Sequence, residues 1–592
     1  MEKRFRPLAY TVKHVGVSLY INALLVLLNG FILPIQVVFL SRFLDAAIMT
    51  ISDFSFFSTA ILWLLMLVLL YIYSAFSETI ISITNVRVEH RIKSNYNKLL
   101  LEKMARIKYE FTEQKSIADL IRRINDDPHL KMKTHYNYIV SLISLIISIV
   151  GIILMLFTAG WLIGLIMLFI SAVVYLASSY LGKGLHDWWE KNTFLQRKYE
   201  YLSDILIGRE YAAEHRIFSF KPYIVVMWDN AFSQYQSGRI KNHINALLKG
   251  NVAVSISAIF KLSIYLLLLN SLIASKITFG FYLGIARTIG NVQFSITGEM
   301  SKYLLELSKL REYWRDVDVY LKLDEVQETL DDVNICDSKT VTLAQIEFSN
   351  VFFKYPNENE YILNGVSFTI LPGKSYSLVG INGAGKTTII KLMLGLYRPT
   401  SGEIFVNGTD ITRLSTKSLS AMYAVVFQDF ARYYLTVEEN IAFGDICHFG
   451  DISMYEEAIQ KADFQDCFKL LPRGFKTYLG NIFVQGVDLS GGEWQRLAFS
   501  RAIMGDKPVM ILDEPTAALD PIAEANLYTY INSIMNQKTV FFISHRLGST
   551  KLSEKIFVLS NGIISEEGDH ESLMRLGGQY AKMYREQQKW YT

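Results

Sequence analysis

The sequence predicts an all-α polytopic membrane domain, with six transmembrane helices and long cytosolic extensions, followed by an α/β domain built around a phosphate-binding loop. Three observations carry that prediction. Apolar residues make up 51% of the 592-residue chain and pile up before residue 300. Two long connections between the apolar segments are rich in Lys and Arg. After residue 340 the pattern turns to short β-branched runs, glycine turns and amphipathic helices. The length exceeds one ordinary domain. The expected division is a membrane domain at 1–310, a linker at 311–340 and the α/β domain at 341–592.

A bilayer core of about 30 Å needs roughly 20 apolar residues in a helix. Six segments qualify: 15–40, 57–81, 138–157, 161–181, 246–273 and 281–300. The third and fourth are separated by almost nothing and read as a hairpin. The sixth contains Arg287, Asn291, Gln293 and Glu299. A helix that polar is poorly suited to lipid and is expected to line a water-filled cavity or pack inside a bundle. The first apolar run is long and lacks a small-residue cleavage site, so it reads as a retained anchor.

Orientation follows from the cations near the segment ends. The connection 84–135 is dense in them, from Arg87 to Lys133, and so is 182–245. The opposite loops are short, with Arg42 and Lys276 as their clear cations. The long loops and both termini are therefore expected in the cytosol, with the lipid bilayer of the cytoplasmic membrane as a partner. Residues 86–107 carry apolar positions at helical spacing. Arms of about 22 residues would reach roughly 33 Å at 1.5 Å per residue. The membrane helices are thus expected to continue into the cytosol, with contact-making tips near 109–119 and 206–218. The alternative for these loops is a solvated charged face.

In the second half, "KSYSLVG" at 374–380 reads as a buried strand. It runs into Gly380, Ile381, Asn382, Gly383, Ala384, Gly385, Lys386, Thr387 and Thr388, and then into the helical "IIKLMLGL". Strand, glycine-rich loop and helix together let backbone N–H groups converge on phosphate at a helix N-terminus. Lys386 supplies a point charge to the β- and γ-phosphates, and the Thr387 hydroxyl is the expected Mg²⁺ ligand. A second strand, "PVMILDEP" at 508–515, ends on two carboxylates. Ligands of such sheets gather at strand C-terminal ends. Asp513 would hold Mg²⁺ through water. Glu514 would polarise the water that attacks the γ-phosphate.

These stretches resemble the ATP-binding cassette (ABC) family. The phosphate loop, "LSGGEWQR" at 489–496 and "VMILDE" at 509–514 occur in that family's order. So do Gln428 in "VVFQD", "AALD" at 517–520 and His545 in "ISHRL". With six helices ahead of an α/β ATP-binding cassette, the chain looks like an ABC exporter half-transporter. The resemblance implies ATP and Mg²⁺ as cofactors and a second half-transporter as partner, a homodimer being sufficient and a heterodimer an alternative. It implies that Tyr355, twenty-five residues before Gly380, stacks on adenine. Gln428 would sense the γ-phosphate, ligate Mg²⁺ and meet the loop tips. His545 would contact the γ-phosphate and position the attacking water, and Asp520 would report across the dimer. Ser490, Gly491 and Gly492 open a helix whose dipole favours anions. In the family they grip the nucleotide bound to the partner's phosphate loop. Two departures stand out. Glu493 replaces the usual Gln and is expected to add repulsion near a triphosphate. "LGNIFVQG" before the signature lacks the charged pattern of many drug exporters.

"FQDFARYYLTVEENIAFGD" and "ILDEPTAALDPIAE" resemble bacterial peptide exporters, above all the lantibiotic (nisin-type) transporters. A peptide is therefore the expected cargo. A lipid or hydrophobic-drug exporter is one alternative, and an ATP-gated sensor that moves nothing is another. No peptidase domain precedes the first helix, so leader cleavage by this chain is not expected. Glu78, Lys261, Arg287 and Glu299 are candidates for cavity lining, with internal pairing such as Glu78 with Lys261 as the alternative. The net charge of +3 is too small to argue for nucleic acid, and none is expected as a partner. Cys336, Cys447 and Cys467 fit no metal spacing and read as reduced cytosolic thiols.

Overall fold

A computed structural model of the chain describes residues 5–208, 211–326, 344–356, 358–483, 485–515, 521–534, 538–543 and 549–589. Two compact units emerge. One combines Met1–Ala105 with Asp119–Leu323, and the other combines Arg106–Ala118 with Asp324–Thr592.

The first unit is helical. Its elements begin with α1 (Pro7–Val15), α2 (Val17–Asn29), α3 (Ile32–Ser52) and α4 (Phe57–Arg106), whereas α5 (Tyr109–Thr112) falls in the second unit. There follow α6 (Lys115–Asn125), α7 (Pro128–Ala159), α8 (Trp161–Ile207), α9 (Ala212–Ile217), α10 (Lys221–Ile273), α11 (Phe279–Phe294) and α12 (Ser301–Leu321). Helices α4, α8 and α10 run for 50, 47 and 53 residues, well past the apolar segments they contain. Among the described residues, Val17–Ser52, Phe54–Arg106 and Pro128–Ala159 are long and apolar enough to cross a membrane. A shorter apolar stretch, Lys261–Ile273, lies in α10.

Segment 15–40 is not one continuous helix. It breaks at Gly30 and Phe31 between α2 and α3, where a Cβ on Gly30 would meet the Ser144 carbonyl at 2.6 Å. Segment 281–300 changes character at a π-helical turn, Ser295–Met300, which contains Glu299 and separates α11 from α12.

Two devices hold this unit together where apolar surface alone gives little preference between helices. The first is a buried polar bracket. Asn22 donates to Thr84 Oγ1 at 2.9 Å and accepts from the Tyr136 hydroxyl at 3.1 Å, which joins α2, α4 and α7. Ser77 of α4 donates to Asn29 of α2 at 3.0 Å. The second is close backbone approach. Gly280 and Gly284 of α11, four residues apart, lie against α3, and a Cβ on Gly280 would sit 2.2 Å from the Ser41 carbonyl. Asp45 of α3 fixes the same contact by accepting from the Gly280 amide at 2.8 Å. The candidate charges do not form the Glu78–Lys261 pair among the described residues. Lys261 Nζ instead lies 5.9 Å from the Tyr265 ring centroid and close to Gly290.

The second unit carries two sheets. Its strands are β1 (Ile346–Phe353), β2 (Leu363–Ile370), β3 (Ser375–Gly380), β4 (Ser401–Val406), β5 (Thr409–Asp410), β6 (Tyr423–Val426), β7 (Val509–Asp513), β8 (Thr539–Ile543), β9 (Lys555–Ser560) and β10 (Ile563–Gly568). The antiparallel sheet has the order β2-β1-β4-β5, and the larger sheet the order β10-β9-β3-β8-β7-β6. Within the larger sheet β9, β3, β8, β7 and β6 run parallel, and β10 closes the edge antiparallel. The central strands are buried on both faces, which explains their unbroken apolar runs. Val509 and Ile511 of β7 join one core cluster, and Met510 and Leu512 join the other.

Gly280→Val should lower the thermal midpoint of the detergent-solubilised chain. The overpacking cost is about 1–3 kcal/mol, whereas Gly280→Ala should cost less.

Candidate functional site

Register places the site. In the parallel sheet Leu378 of β3 pairs with Ile543 of β8, and Ile543 pairs with Asp513 of β7. Val426 of β6 pairs with Leu512. The residues that follow these strand ends, 380–388, 514 and 428, therefore emerge on one edge of the sheet. Gly383 and Gly385 adopt φ of +79° and +102°, a backbone region that side chains rarely enter. The turn they make delivers the chain to α13 (Lys386–Met393).

A cavity of about 480 Å³ opens at this edge. Asn382, Gly383, Gly385, Lys386, Thr387, Thr388, Gln428 and Glu514 line it, with Ile362. The Lys386 ammonium donates to the carbonyls of Gly380 at 2.8 Å and Ile381 at 3.2 Å, so it is folded over the loop. Burial lowers its pKa, while the carboxylates of Glu514 and Asp513 oppose that shift. Asp513 is only 2% exposed. Burial first, and then the charge of Glu514, pushes its pKa up to about 6, against the pull of Lys386. Glu514 sits at φ +49°, its amide donating to the Ile543 carbonyl at 2.9 Å. Its carboxylate accepts from Gln428 Nε2 at 2.8 Å.

This arrangement suits a polyphosphate with a divalent cation. The loop amides and Lys386 can balance phosphate charge. Two adjacent carboxylates can take up a cation, directly or through water. No cluster of three or more His, Cys, Asp or Glu suited to holding a metal occurs among the described residues.

The other expected residues lie as follows. Tyr355 does not line this cavity. It is half-buried, and its hydroxyl is 3.1 Å from Thr388 Oγ1. Ala384 is buried in the loop. Ser490, Gly491 and Gly492 are likewise absent from the cavity wall. Ser490 instead caps the helix Gly491–Met504. Asp520 and His545 lie outside the described residues.

At the signature the Glu493 carboxylate is turned back onto its own helix. It accepts from the Ser490 amide at 2.7 Å, while the Ser490 side chain accepts from the Glu493 amide. That is a capping box. Burial works to raise the Glu493 pKa, but hydrogen bonds from Ser490 and the Cys467 thiol outweigh it and hold the group below the usual carboxylate range.

Sequence reasoning missed two residues here. Ile362 forms an apolar wall of the cavity; the apolar pair ahead of β2 was its signal. Gln495, 4% exposed, donates to the Pro515 carbonyl at 2.6 Å, which ties the signature helix to the residue after Glu514. Nothing in the sequence pattern distinguishes it.

Comparison with known proteins finds matches in both halves of the chain. A family model described as the ABC transporter matches residues 363–517, and one described as the ABC transporter transmembrane region matches residues 19–192. The chain is an ABC transporter. It is 28% identical over 590 residues to the subtilin transport ATP-binding protein SpaT of Bacillus subtilis, which covers 98% of this chain and 93% of that one. Over 244 residues it is 36% identical to the ATP-dependent lipid A-core flippase of Methylobacillus flagellatus, covering 41% of each. The fold of this ABC transporter is similar to that of a bacterial Atm1-family ABC exporter solved with ATP bound, at a TM-score of 0.69 and 22% identity over 96% of this chain and 98% of that one.

The raised pKa of Asp513 gives a signed pH dependence. Its carboxylate gains a proton as pH falls through about 6, and cation binding needs the deprotonated form. The Mg²⁺ concentration needed for half-maximal nucleotide binding should therefore rise as pH falls from 7 to 5. Asp513→Asn should flatten that dependence while raising the Mg²⁺ requirement throughout.

Proposed function

We propose that this chain is a half-transporter that pairs with a second copy and exports a peptide across the cytoplasmic membrane by ATP-driven alternating access. In this reading six spans cross the membrane, and the cassette and both termini are cytosolic. The observation that carries it is the cavity in which phosphate-loop residues, Gln428 and Glu514 meet, on a chain whose other unit is apolar helices. The peptide cargo is supported by similarity along nearly the whole chain to a protein named for subtilin transport. A lipid cargo is the second reading, favoured by the lipid A-core flippase, whose higher identity extends over 41% of the chain.

The chemistry follows from the residues. Lys386 and the loop amides hold the β- and γ-phosphates of ATP, and Tyr355 serves the adenine. Thr387, Asp513 and Gln428 hold Mg²⁺, which supplies charge neutralisation at the phosphates. Glu514, oriented by Gln428, polarises the attacking water, and His545 supports the γ-phosphate. Ser490, Gly491 and Gly492 serve the nucleotide of the partner chain, and Asp520 links the two sites. Ligand binding shifts a conformational equilibrium only through differential affinity. A change from 1:99 to 99:1 needs about 5.5 kcal/mol, which γ-phosphate contacts made only in the closed dimer can supply.

Glu514→Gln should keep ATP binding but slow turnover by roughly two to four orders of magnitude; near-normal hydrolysis would contradict the assigned base. In a mixed dimer, Ser490→Ala on one chain should impair the site built on the other chain's Lys386. Damage confined to the mutated chain's own phosphate loop would refute the shared site. Uptake by inverted vesicles, with candidate peptides set against lipids, tests the cargo.

A further inference from the structure

The segment 106–118 belongs to the cassette unit, and its Glu113 sits at a junction that ATP chemistry alone does not require. One carboxylate oxygen accepts from Lys391 Nζ at 2.6 Å and from the Tyr109 hydroxyl at 2.8 Å. The other accepts from the Tyr397 hydroxyl at 2.6 Å. Lys391 lies on α13, five residues beyond Lys386. Its ammonium stands 5.9 Å from the Tyr109 ring centroid, 5.6 Å from that of Tyr355 and 5.9 Å from that of Tyr397. A cation held against three ring faces and one carboxylate is ordered by all four.

Tyr355 is the ring at the centre of this arrangement. It meets Tyr397 edge-on at 5.3 Å and Phe353 at 5.1 Å, faces the Lys391 ammonium, and bonds to Thr388 through its hydroxyl. Two of those four neighbours, Tyr397 and Lys391, are bonded directly to Glu113. By contrast, the contacts that shape the phosphate cavity, Lys386 to Gly380 and Gln428 to Glu514, do not involve Glu113.

We propose that Glu113 is a positioning residue for base recognition: through Lys391 and Tyr397 it fixes the Tyr355 ring and so sets the base-dependent part of ATP affinity. This rests on the assignment of Tyr355 to adenine made above. A segment inserted between two membrane-domain helices thereby acts on the base end of the nucleotide, while the phosphate end is organised by the cassette's own strands.

The test is a double-mutant cycle on the full-length chain in nanodiscs, with ATP and inorganic tripolyphosphate as probes. Glu113→Gln should weaken ATP binding about three- to tenfold, the size expected for coupling within one contact network. Tripolyphosphate binding should not change. Tyr397→Phe, which removes only the hydroxyl, should give a smaller loss of the same kind. In a Tyr355→Ala background, Glu113→Gln should have no further effect. The clamp is overturned if Glu113→Gln weakens both probes equally, or if its effect multiplies with that of Tyr355→Ala. If the wild-type chain binds tripolyphosphate no more weakly than ATP, the adenine assignment itself fails and takes the clamp with it.

Discussion

The site depends on an electrostatic imbalance built into the end of a parallel sheet. Asp513 and Glu514 are adjacent carboxylates, the first almost wholly buried, and Lys386 is the buried cation beside them. Burial disfavours the charged form of each, so Asp513 is held above, and Lys386 below, its ordinary pKa. Asn382, Gly383 and Gly385 of the loop border the same space. A polyphosphate carrying a divalent cation meets both needs, giving Lys386 and the amides negative charge and the carboxylates positive charge.

The same economy appears at the signature helix. Its N-terminus offers free amides that favour anions, and Glu493 supplies one of its own by closing a capping box on Ser490. That internal carboxylate satisfies the Ser490 amide in the single chain. The departure from the family's usual Gln keeps a capping box that either residue can close and changes the local charge.

In the helical unit the organising force is different. Side chains facing hydrocarbon gain little by exchanging lipid for another helix, so specificity falls to polar bonds and backbone proximity. Asn22, Thr84 and Tyr136 form the polar bracket, and Gly280 with Gly284 lets α11 press against α3. The π-helical turn at Ser295–Met300 interrupts the regular hydrogen-bond ladder close to Glu299. Such turns occur often at functional positions. Here it falls in the one apolar segment whose polarity already set it apart in the sequence.

The sequence alone determined the elements whose chemistry is local. Residues 380–388 work as a contiguous strand, turn and helix, so spacing and glycine content suffice to read them. Asp513 and Glu514 end a run of apolar residues, and the parallel sheet brings such ends together. The long apolar segments were equally legible, because hydrocarbon imposes a length and a composition. Only the tertiary structure decided the long-range pairings. Glu113 and Lys391 are 278 residues apart, and no periodicity links them. Ile362 and Gln495 look like ordinary core-forming and helix-surface residues until the sheet and the signature helix are packed. The break at Gly30 was hidden for the same reason, and so were the particular partners of the tip expected near 109–119. Each is set by which atoms approach across the fold, a quantity that local propensity and hydropathy do not encode.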